Sequence, residues 1–454
     1  MIEHIKSVIL WVLVLTSVVL TWQIWTYQPE YDIRTDVEYF ESTEIGEERS
    51  ANDLLIPHQV IVHEDGDIFW VKPYQDAYQI MMEELDDLSI PMLRTGDSRR
   101  VPSMLSNYQG INVEIVFKEP MQGQWMHRLF DLEDEHFPLE TVDRILFFEN
   151  QESTNAEVSV RFISLDEANN VQADTDMSLN RLQTIYEAKR EQFVPVTKQI
   201  FTNNHNQLYQ DVKYLPSEDF VMNTYTYLSK NLDENDFISA LFSDPEFVKS
   251  YPQGNETVYT DGNRMMSIIG NGLILDFAHP STGITQMDGP TETSILRASL
   301  DFVNAHKGWT DHYVIDSWRE TSGHDYIQFR LNIQGLPILG SNINREGFYT
   351  MKVTRSGNQI IEYKRSLFEL NEEDFEIETS ISLPHFEDVW SYIEASEALN
   401  ESLIEDIKIG HYMNRQGSLV YLTPAWFIKE RGSWHQVDLD AGNIQQGIPN
   451  REVE

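Results

Sequence analysis

The residue types that most often perform catalysis occur in this chain without the spacing that catalysis requires. Cysteine is absent from the 454 residues, which excludes thiol nucleophiles, disulfides and thiolate metal sites. Neither Gly-x-Ser-x-Gly nor Ser-x-x-Lys occurs, so two common serine-nucleophile signatures are missing. The run Gly270-Asn271-Gly272 continues as Leu-Ile-Leu and lacks the rest of a dinucleotide-binding fingerprint, so it predicts a turn.

Histidine and carboxylate residues are the remaining candidates for proton transfer or metal binding. The closest histidine pairs are His58 with His63 and His306 with His312, and neither spacing places two ligands on one helix face. Acidic runs such as residues 372–374 could exchange protons, but among 74 carboxylates such runs arise by chance. The sequence therefore predicts no catalytic residues, no metal site and no cofactor, and we do not expect an enzyme.

The charge balance restricts the partners of the chain. Its 74 acidic residues against 33 basic ones give a formal net charge of −41, which repels nucleic acid and anionic lipid headgroups. We therefore expect no nucleic-acid partner. The acidic surface is either a solvated shell or a docking face for a basic partner. Hydrophobic residues make up 41% of the chain, and a length prior of ~100–200 residues per domain predicts two to four domains.

The N-terminal segment has the properties of a transmembrane helix. No charged residue occurs from Ser7 to Pro29, and at ~1.5 Å per residue the segment 7–27 can cross a hydrocarbon core of ~30 Å. Lys6 precedes it and a mostly acidic chain follows it, which predicts a cytoplasmic N-terminus and an extracytoplasmic remainder at the cell membrane. The segment ends in Trp-Thr-Tyr-Gln-Pro rather than a small-x-small site, which favours an uncleaved anchor over a signal peptide.

One face of this predicted helix could recognise a partner helix. Spacings of three and four residues place five side chains on a single stripe, namely Trp11, Leu15, Val18, Trp22 and Trp25. Ser17 and Thr21 lie on an adjacent stripe, where small hydroxylated residues permit close helix packing. The alternative is a stripe that faces lipid only.

The rest of the sequence predicts an α+β fold of antiparallel sheets with packed helices. In its first part, strands Gln59–His63 and Ile68–Lys72 flank a turn, and a helix follows at Asp76–Leu88. We expect four segments, with approximate boundaries: a cytoplasmic tip and anchor at 1–31, an N-terminal α+β domain at 32–195, a middle α+β domain at 196–290 and a C-terminal lobe at 291–454.

The C-terminal lobe shows a weak internal duplication. Two units, at about 292–370 and 385–440, each begin with a helix and continue as a run of antiparallel strands. The helices are expected at Thr293–His306 and Val389–Leu399. Since repeated units bury their open faces against each other, the two units are expected to pack as one lobe.

Several segments resemble the YycH (WalH) family. The resemblance lies in Ile5–Leu10 and Leu20–Tyr31, in Gly335-Leu336-Pro337-Ile338, in Ile407-x-Ile409-Gly410-His411-Tyr412 and in Leu422-Thr423-Pro424-Ala425-Trp426. The later motifs are similar to segments shared by YycH and its companion YycI, so the C-terminal lobe is expected to be YycI-like. The resemblance spans most of the chain, including its length and its lack of cysteine.

The resemblance implies a regulator rather than an enzyme. Members of the family act with YycI on the sensor histidine kinase WalK (YycG), in the WalK–WalR two-component system that governs cell-wall metabolism. Contact is made through transmembrane helices, which favours partner recognition by the stripe that contains Trp11 and Trp22. Two alternatives remain: an extracytoplasmic ligand-sensing module, which would need a partly apolar cavity between lobes, and a membrane-tethered cell-wall enzyme, which would need a pocket with paired carboxylates.

Overall fold

The computed structural model describes residues 44–437 apart from 74, 87, 97–109, 151–156, 203–209, 280–292, 322, 341–346, 397–398 and 400–402, together with residues 6, 11 and 15–17. The chain divides into two compact units, residues 1–42 and 43–454. Within the first unit, the described residues are helical and exposed. Among all described residues, no helix has the length and apolar character needed to cross a membrane. Most of the predicted anchor, residues 7–27, lies outside the described residues.

Residues 44–216 build the first sheet and its helices. The described strands are β1 (Gln59–Glu64), β2 (Asp67–Val71), β3 (Ser89–Ile90), β4 (Arg94–Thr95), β5 (Ile111–Gln122), β6 (Asp131–Leu132), β7 (Thr141–Glu149), β8 (Val158–Ser164), β9 (Asn169–Asp174), β10 (Val194–Thr202) and β11 (Gln210–Pro216). The helices are α1 (Asp76–Asp86), α2 (Met126–Leu129) and α3 (Leu179–Ala188). Within the described residues, nine strands form an antiparallel sheet in the order β11-β10-β2-β1-β5-β7-β8-β9-β4, and β3 pairs with β6.

The first sheet is covered on both faces. Side chains alternate along a strand, so Val60 and Val62 of β1 belong to one hydrophobic core while Ile61 belongs to another. Met81 of α1 and Leu182 of α3 pack into the core that contains Val60. The opposite face, which carries Ile61, meets the second sheet.

Residues 220–437 build the second sheet. Its described strands are β12 (Phe220–Asn231), β13 (Lys249–Gln253), β14 (Glu256–Thr260), β15 (Met265–Ile269), β16 (Ile274–Ala278), β17 (Tyr313–Arg319), β18 (Asp325–Ile333), β19 (Leu336–Leu339), β20 (Thr350–Ser356), β21 (Gln359–Ser366), β22 (Phe368–Leu383), β23 (Ile404–Gln416), β24 (Leu419–Glu430) and β25 (Ser433–Gln436). The helices are α4 (Glu234–Leu241), α5 (Ile295–Asn304) and α6 (Phe386–Ala395). The order is β13-β14-β15-β16-β21-β20-β18-β19-β23-β24-β12-β22 in the described part of the chain, with β17 on β18 and β25 on β24.

Residues 196–290, expected as a middle domain, do not form a sheet of their own in the part that the structure describes. Strands β10 and β11 complete the first sheet, whereas β12 lies between β24 and β22 of the second. Strands β14, β15 and β16 form a meander joined by tight turns, and β16 also pairs with β21, so the meander extends the second sheet. Turn residues specify a hairpin locally, and only long-range pairing decides which sheet receives it.

The α+β prediction is confirmed, and most predicted elements exist. The first hairpin forms at β1 and β2, with Asp65 and Gly66 at positive φ in its turn. Residues Leu419–Glu430 form one continuous strand, β24, in which Thr423–Ala425 continue the pairing with β23. The predicted helix at 389–399 begins and ends earlier, at α6. Strands β12 and β22 were not predicted from the sequence, because their polar, half-exposed residues lack a clear apolar alternation.

The three C-terminal segments that resemble the YycH family lie on neighbouring strands. Strand β19 runs parallel to β23, with Ile338 opposite His411, and β24 is antiparallel to β23 with Trp426 opposite Ile409. The parallel pair also joins the two proposed helix-plus-strands units into one sheet. Gly410 makes the close approach possible, because a Cβ there would lie 2.7 Å from Leu339 Cδ1 and 2.8 Å from the Pro337 carbonyl oxygen.

We expect Gly410→Ala to destabilise the fold by about 1–3 kcal/mol, because the added methyl group overlaps a backbone carbonyl that cannot rotate away. Gly323→Ala is the matched control, since a Cβ at Gly323 would have no neighbour within 4 Å and this glycine has no positive φ. Urea unfolding of the purified chain, followed by tryptophan fluorescence, measures both changes. Equal stabilities of the two variants would contradict the close-packing role of Gly410.

Candidate functional site

The predicted transmembrane face is only partly described. Trp11 and Leu15 lie in helical conformation with exposed fractions of 68% and 58%, and Ser17 is helical and exposed. The other predicted recognition residues, Val18, Thr21, Trp22 and Trp25, lie outside the described residues. The recognition face therefore stays a prediction, and the site whose geometry can be built from side chains lies in residues 43–454.

The first sheet contains a buried charged network at its centre. Glu114 of β5 accepts hydrogen bonds from Arg144 of β7 at 2.5 Å and from Tyr214 of β11 at 2.6 Å, and its Oε2 lies 2.8 Å from His63 Nε2. Arg144 also donates to the carbonyl oxygen of Val212 at 2.5 Å. The network connects three inner strands to the edge strand β11, which immediately precedes the second sheet.

Electrostatics keep Glu114 ionised despite its complete burial. Burial by itself raises the pKa of a carboxyl group, but the positive charge of Arg144 and the hydrogen bonds from His63 and Tyr214 lower the pKa of Glu114 to about 2. Each partner satisfies an oxygen that would otherwise be buried without a hydrogen bond. A buried ion pair of this kind becomes costly when one partner is removed.

The two sheets meet across an apolar core. Trp70 and Val116 of the first sheet belong to the same core as Val389 of α6, Ile407 of β23 and Trp426 of β24. The rings of Trp70 and Phe220 pack edge to face, with centroids 6.4 Å apart. This core holds the two sheets in one compact unit.

A cavity of about 130 Å³ lies between the two sheets. Residues of β1, β5, β7 and β11 line it on one side, and residues of β19 and β23 line it on the other. Two of the family-like motifs, Gly335–Ile338 and Ile407–Tyr412, supply much of the second wall. A smaller chamber adjoins this cavity, and His58, Lys118, Gly335, Pro337 and Lys408 line both spaces.

Asp406 sits between two lysines in the cavity wall. Its carboxylate contacts Lys213 Nζ at 2.5 Å and Lys408 Nζ at 2.8 Å, and Lys408 also lies 4.6 Å from the ring centre of Trp434. Burial opposes ionisation of Asp406, but the two ammonium groups hold its pKa well below the ordinary value. Burial lowers the pKa of Lys408 to about 8, where Lys118 and Lys213 act in the same direction and Asp406 opposes them.

Asp316 has a similar arrangement at the smaller chamber. Arg330 contacts it with both arms of the guanidinium group, at 2.8 and 2.9 Å, and Lys118 of the first sheet donates to the same carboxylate. Gln328 adds a hydrogen bond at 3.0 Å. Burial raises the pKa of Asp316, yet Arg330 and Lys118 together hold it well below its usual range. The Lys118–Asp316 pair connects the two sheets directly.

The groups around the cavity favour binding over proton transfer. Asp316 and Asp406 are held ionised by neighbouring cations, so they are poor proton donors at neutral pH. Burial, with the charges of Lys408 and other lysines, lowers the pKa of His58 to about 3, so this ring is neutral. These residues were not predicted from the sequence, because they come together from strands far apart in the chain. Lys408 occupies the variable position of the motif Ile407-x-Ile409.

One other cluster could bind a cation. Among the described residues, Asp219, His385 and Asp388 place ligand atoms within 4.8 Å of one another, on the surface. Asp219 accepts hydrogen bonds from the backbone N–H of His385 at 3.0 Å, and lies 2.9 Å from its ring Nδ1. The hydrogen bond to Asp219 raises the pKa of His385. These hydrogen bonds connect Asp219 to the start of α6, and this structural role accounts for the proximity of the three side chains.

Comparisons with known proteins identify relatives of the whole chain. The family models described as "YycH protein, N-terminal domain" and "YycH protein, C-terminal domain" match residues 3–192 and 210–443. A relative from Bacillus subtilis (strain 168), named "Two-component system WalR/WalK regulatory protein YycH", is 21% identical over 452 residues, covering 95% of each chain. The crystal structure of YycH from Bacillus subtilis matches with a TM-score of 0.70 and 17% identity over 88% of this chain and 100% of that chain, which shows a shared fold.

We expect Glu114→Gln to destabilise the chain by about 3 kcal/mol at neutral pH, because Arg144 loses its buried counter-charge. The pKa of Glu114 is about 2 in the folded protein and 4.5 ordinarily, so its ionisation stabilises the fold above pH 4.5 and this contribution disappears as the pH falls towards 2. The difference between parent and variant should therefore shrink on acidification.

Urea unfolding at a series of pH values measures this difference. Glu187→Gln makes the same chemical change on the exposed face of α3 and should alter stability by less than about 0.5 kcal/mol at any pH. A Glu114→Gln penalty that stays constant from neutral pH down to acid would contradict the ionised state assigned to Glu114.

Proposed function

Because this chain belongs to the YycH family, we propose that it is a regulatory protein of a WalR/WalK-type two-component system and acts on the sensor histidine kinase. The observation that carries this proposal is the match of both family models, which together account for residues 3–192 and 210–443. The relative from Bacillus subtilis, which is named as a regulator of that system, supports it over nearly the full length.

The proposed mode of action is recognition in the membrane. The segment 7–27 anchors the chain with most of its residues outside the cytoplasm, and the stripe of Trp11, Leu15, Val18, Trp22 and Trp25 contacts a helix of the kinase or of a YycI-type companion. A regulator shifts a kinase between signalling states only by binding one state more tightly, and a coupling of about 1–3 kcal/mol is typical.

The extracytoplasmic part supports this role mechanically. The apolar core around Trp70 and Trp426 and the Lys118–Asp316 pair hold the two sheets together. A folded unit held together in this way presents a stable surface to a companion protein. We propose that control of cell-wall metabolism follows from the kinase and requires no catalysis by this chain.

We expect substitution on the proposed recognition stripe to weaken association with the kinase. The variant Leu15→Ala/Val18→Ala/Trp22→Ala should reduce crosslinking to the kinase and to the companion by roughly five-fold or more, the lower end of typical couplings. The chain contains no cysteine, so a single introduced cysteine is its only site for thiol crosslinking.

The matched control is Ile9→Ala/Leu13→Ala/Leu20→Ala, which removes similar apolar bulk from the side opposite to the stripe at helical spacing. Replacement of residues 7–27 by an unrelated apolar helix removes both faces. Association that survives this replacement would overturn recognition through the helix. No association of the parent chain with either partner would overturn the regulatory function itself.

A further inference from the structure

The cavity between the sheets contains hydrogen-bond donors in excess of the acceptors that engage them. Lys118 has Asp316 as its carboxylate partner, and Lys408 has Asp406, although each ammonium group carries three N–H donors. The ring of His58, which lines both chambers, makes no hydrogen bond to a described residue. A ligand or water in the cavity would therefore contact three side chains that can each donate a further hydrogen bond.

The planar donors of the same region are already engaged. The guanidinium group of Arg330 donates two hydrogen bonds to Asp316, and that of Arg144 donates one to Glu114. Guanidinium groups bind carboxylates and phosphates with two parallel hydrogen bonds, whereas ammonium groups act as point charges with rotatable donors. The groups that remain, two ammonium ions and a neutral imidazole, come from separate parts of the fold and can donate to several oxygens of one anion.

The charge of the cavity wall is opposite to that of the protein. Arg144 is paired with Glu114, and four other basic side chains line the two chambers against three carboxylates, in a chain of net charge −41: the basic residues are Lys118, Lys213, Arg330 and Lys408, and the acidic residues are Asp143, Asp316 and Asp406. Glu119, next to Lys118 on β5, lines neither chamber; burial raises its pKa and so disfavours its charged form, while Lys118 and Lys408 act in the opposite direction. Burial makes such an excess of positive charge unfavourable unless an anion offsets it.

We propose that this cavity binds a small tetrahedral oxyanion, as inorganic phosphate or as a phosphate monoester, between His58, Lys118 and Lys408. The volume of about 130 Å³ admits a ligand of a few heavy atoms beyond the phosphate group. Partial exposure of the Lys118 and Lys213 side chains, 22% and 19%, leaves a route from solvent.

The ligand would bridge the two sheets. Lys118 belongs to β5 of the first sheet and Lys408 to β23 of the second, so an anion between them adds an attractive contact across the interface. The anion would also reduce the mutual repulsion of the two ammonium groups, of which Lys118 lowers the pKa of Lys408. Binding does not depend on the regulatory role proposed above, and a failure of one leaves the other standing.

The test is isothermal titration calorimetry of the full-length chain in detergent, with inorganic phosphate as the probe in a phosphate-free buffer at neutral pH. We expect saturable binding at a single site. Lys408→Met and His58→Phe should each weaken it by roughly ten-fold, the effect of losing one hydrogen bond to a charged group. Lys429→Met is the matched control, because Lys429 lies on the neighbouring strand β24 outside the cavity lining and pairs with Glu405.

Two variants keep the outcome interpretable. Loss of Lys408 leaves Asp406 with Lys213, so circular dichroism must confirm that this variant is folded, whereas His58→Phe alters no charge at neutral pH. Methyl phosphate and acetate complete the series. Binding of both phosphates identifies the phosphate group as the determinant, and binding of inorganic phosphate alone identifies the free ion as the ligand.

Three results would overturn the proposal. The first is no saturable phosphate binding by the parent chain up to about 10 mM, which would mean that water alone fills the cavity. The second is equal affinity in Lys408→Met, His58→Phe and Lys429→Met, which would place the bound anion elsewhere. The third is tighter binding of acetate than of phosphate.

Discussion

Charged residues are buried at the junction of the two sheets, where a carboxylate is stable only beside cationic or hydrogen-bond-donating partners, and this constraint organises residues 43–454. Glu114 is held by Arg144, His63 and Tyr214, Asp406 by Lys213 and Lys408, and Asp316 by Arg330 and Lys118. Because an unpaired ion in such a place costs several kcal/mol, each pair restricts which strands can be neighbours. The apolar core joins the two sheets, and the Lys118–Asp316 and Lys213–Asp406 pairs cross between them.

At the same junction, the family-like motifs line the cavity proposed to bind an anion. Strands β19 and β23 run parallel at close distance because Gly410 has no side chain, and the turn at Gly335 directly precedes β19. These strands form one wall of the cavity, opposite Lys118 and Lys213 of the first sheet. The proposed anion site therefore lies at the contact between the two sheets, with Lys118 on one side and Lys408 on the other.

Much of the fold was predictable from local patterns. The hairpin of β1 and β2, the meander of β14 to β16 and the amphipathic helix α5 follow from turn residues and apolar periodicity, which act over a few residues. The long strands β12 and β22 were not predictable in this way, because their residues are mixed in polarity and only their neighbours in the sheet stabilise them. Of the charged site, the sequence signalled only the motif around Lys408, since its cations and carboxylates come from β5, β7, β11, β17, β18 and β23.

The amino-acid sequence by itself determined the α+β class, the lack of cysteine chemistry, the strongly acidic character and the motifs that resemble the YycH family. It also determined an uncharged segment at 7–27 whose length matches a membrane, because hydrophobicity and chain length are local properties. The tertiary structure alone decided that residues 196–290 are divided between two sheets, and that Lys118 and Asp316, 198 residues apart, meet at the junction. Contacts of that kind depend on strand pairing and burial over the whole chain, and no local pattern encodes them.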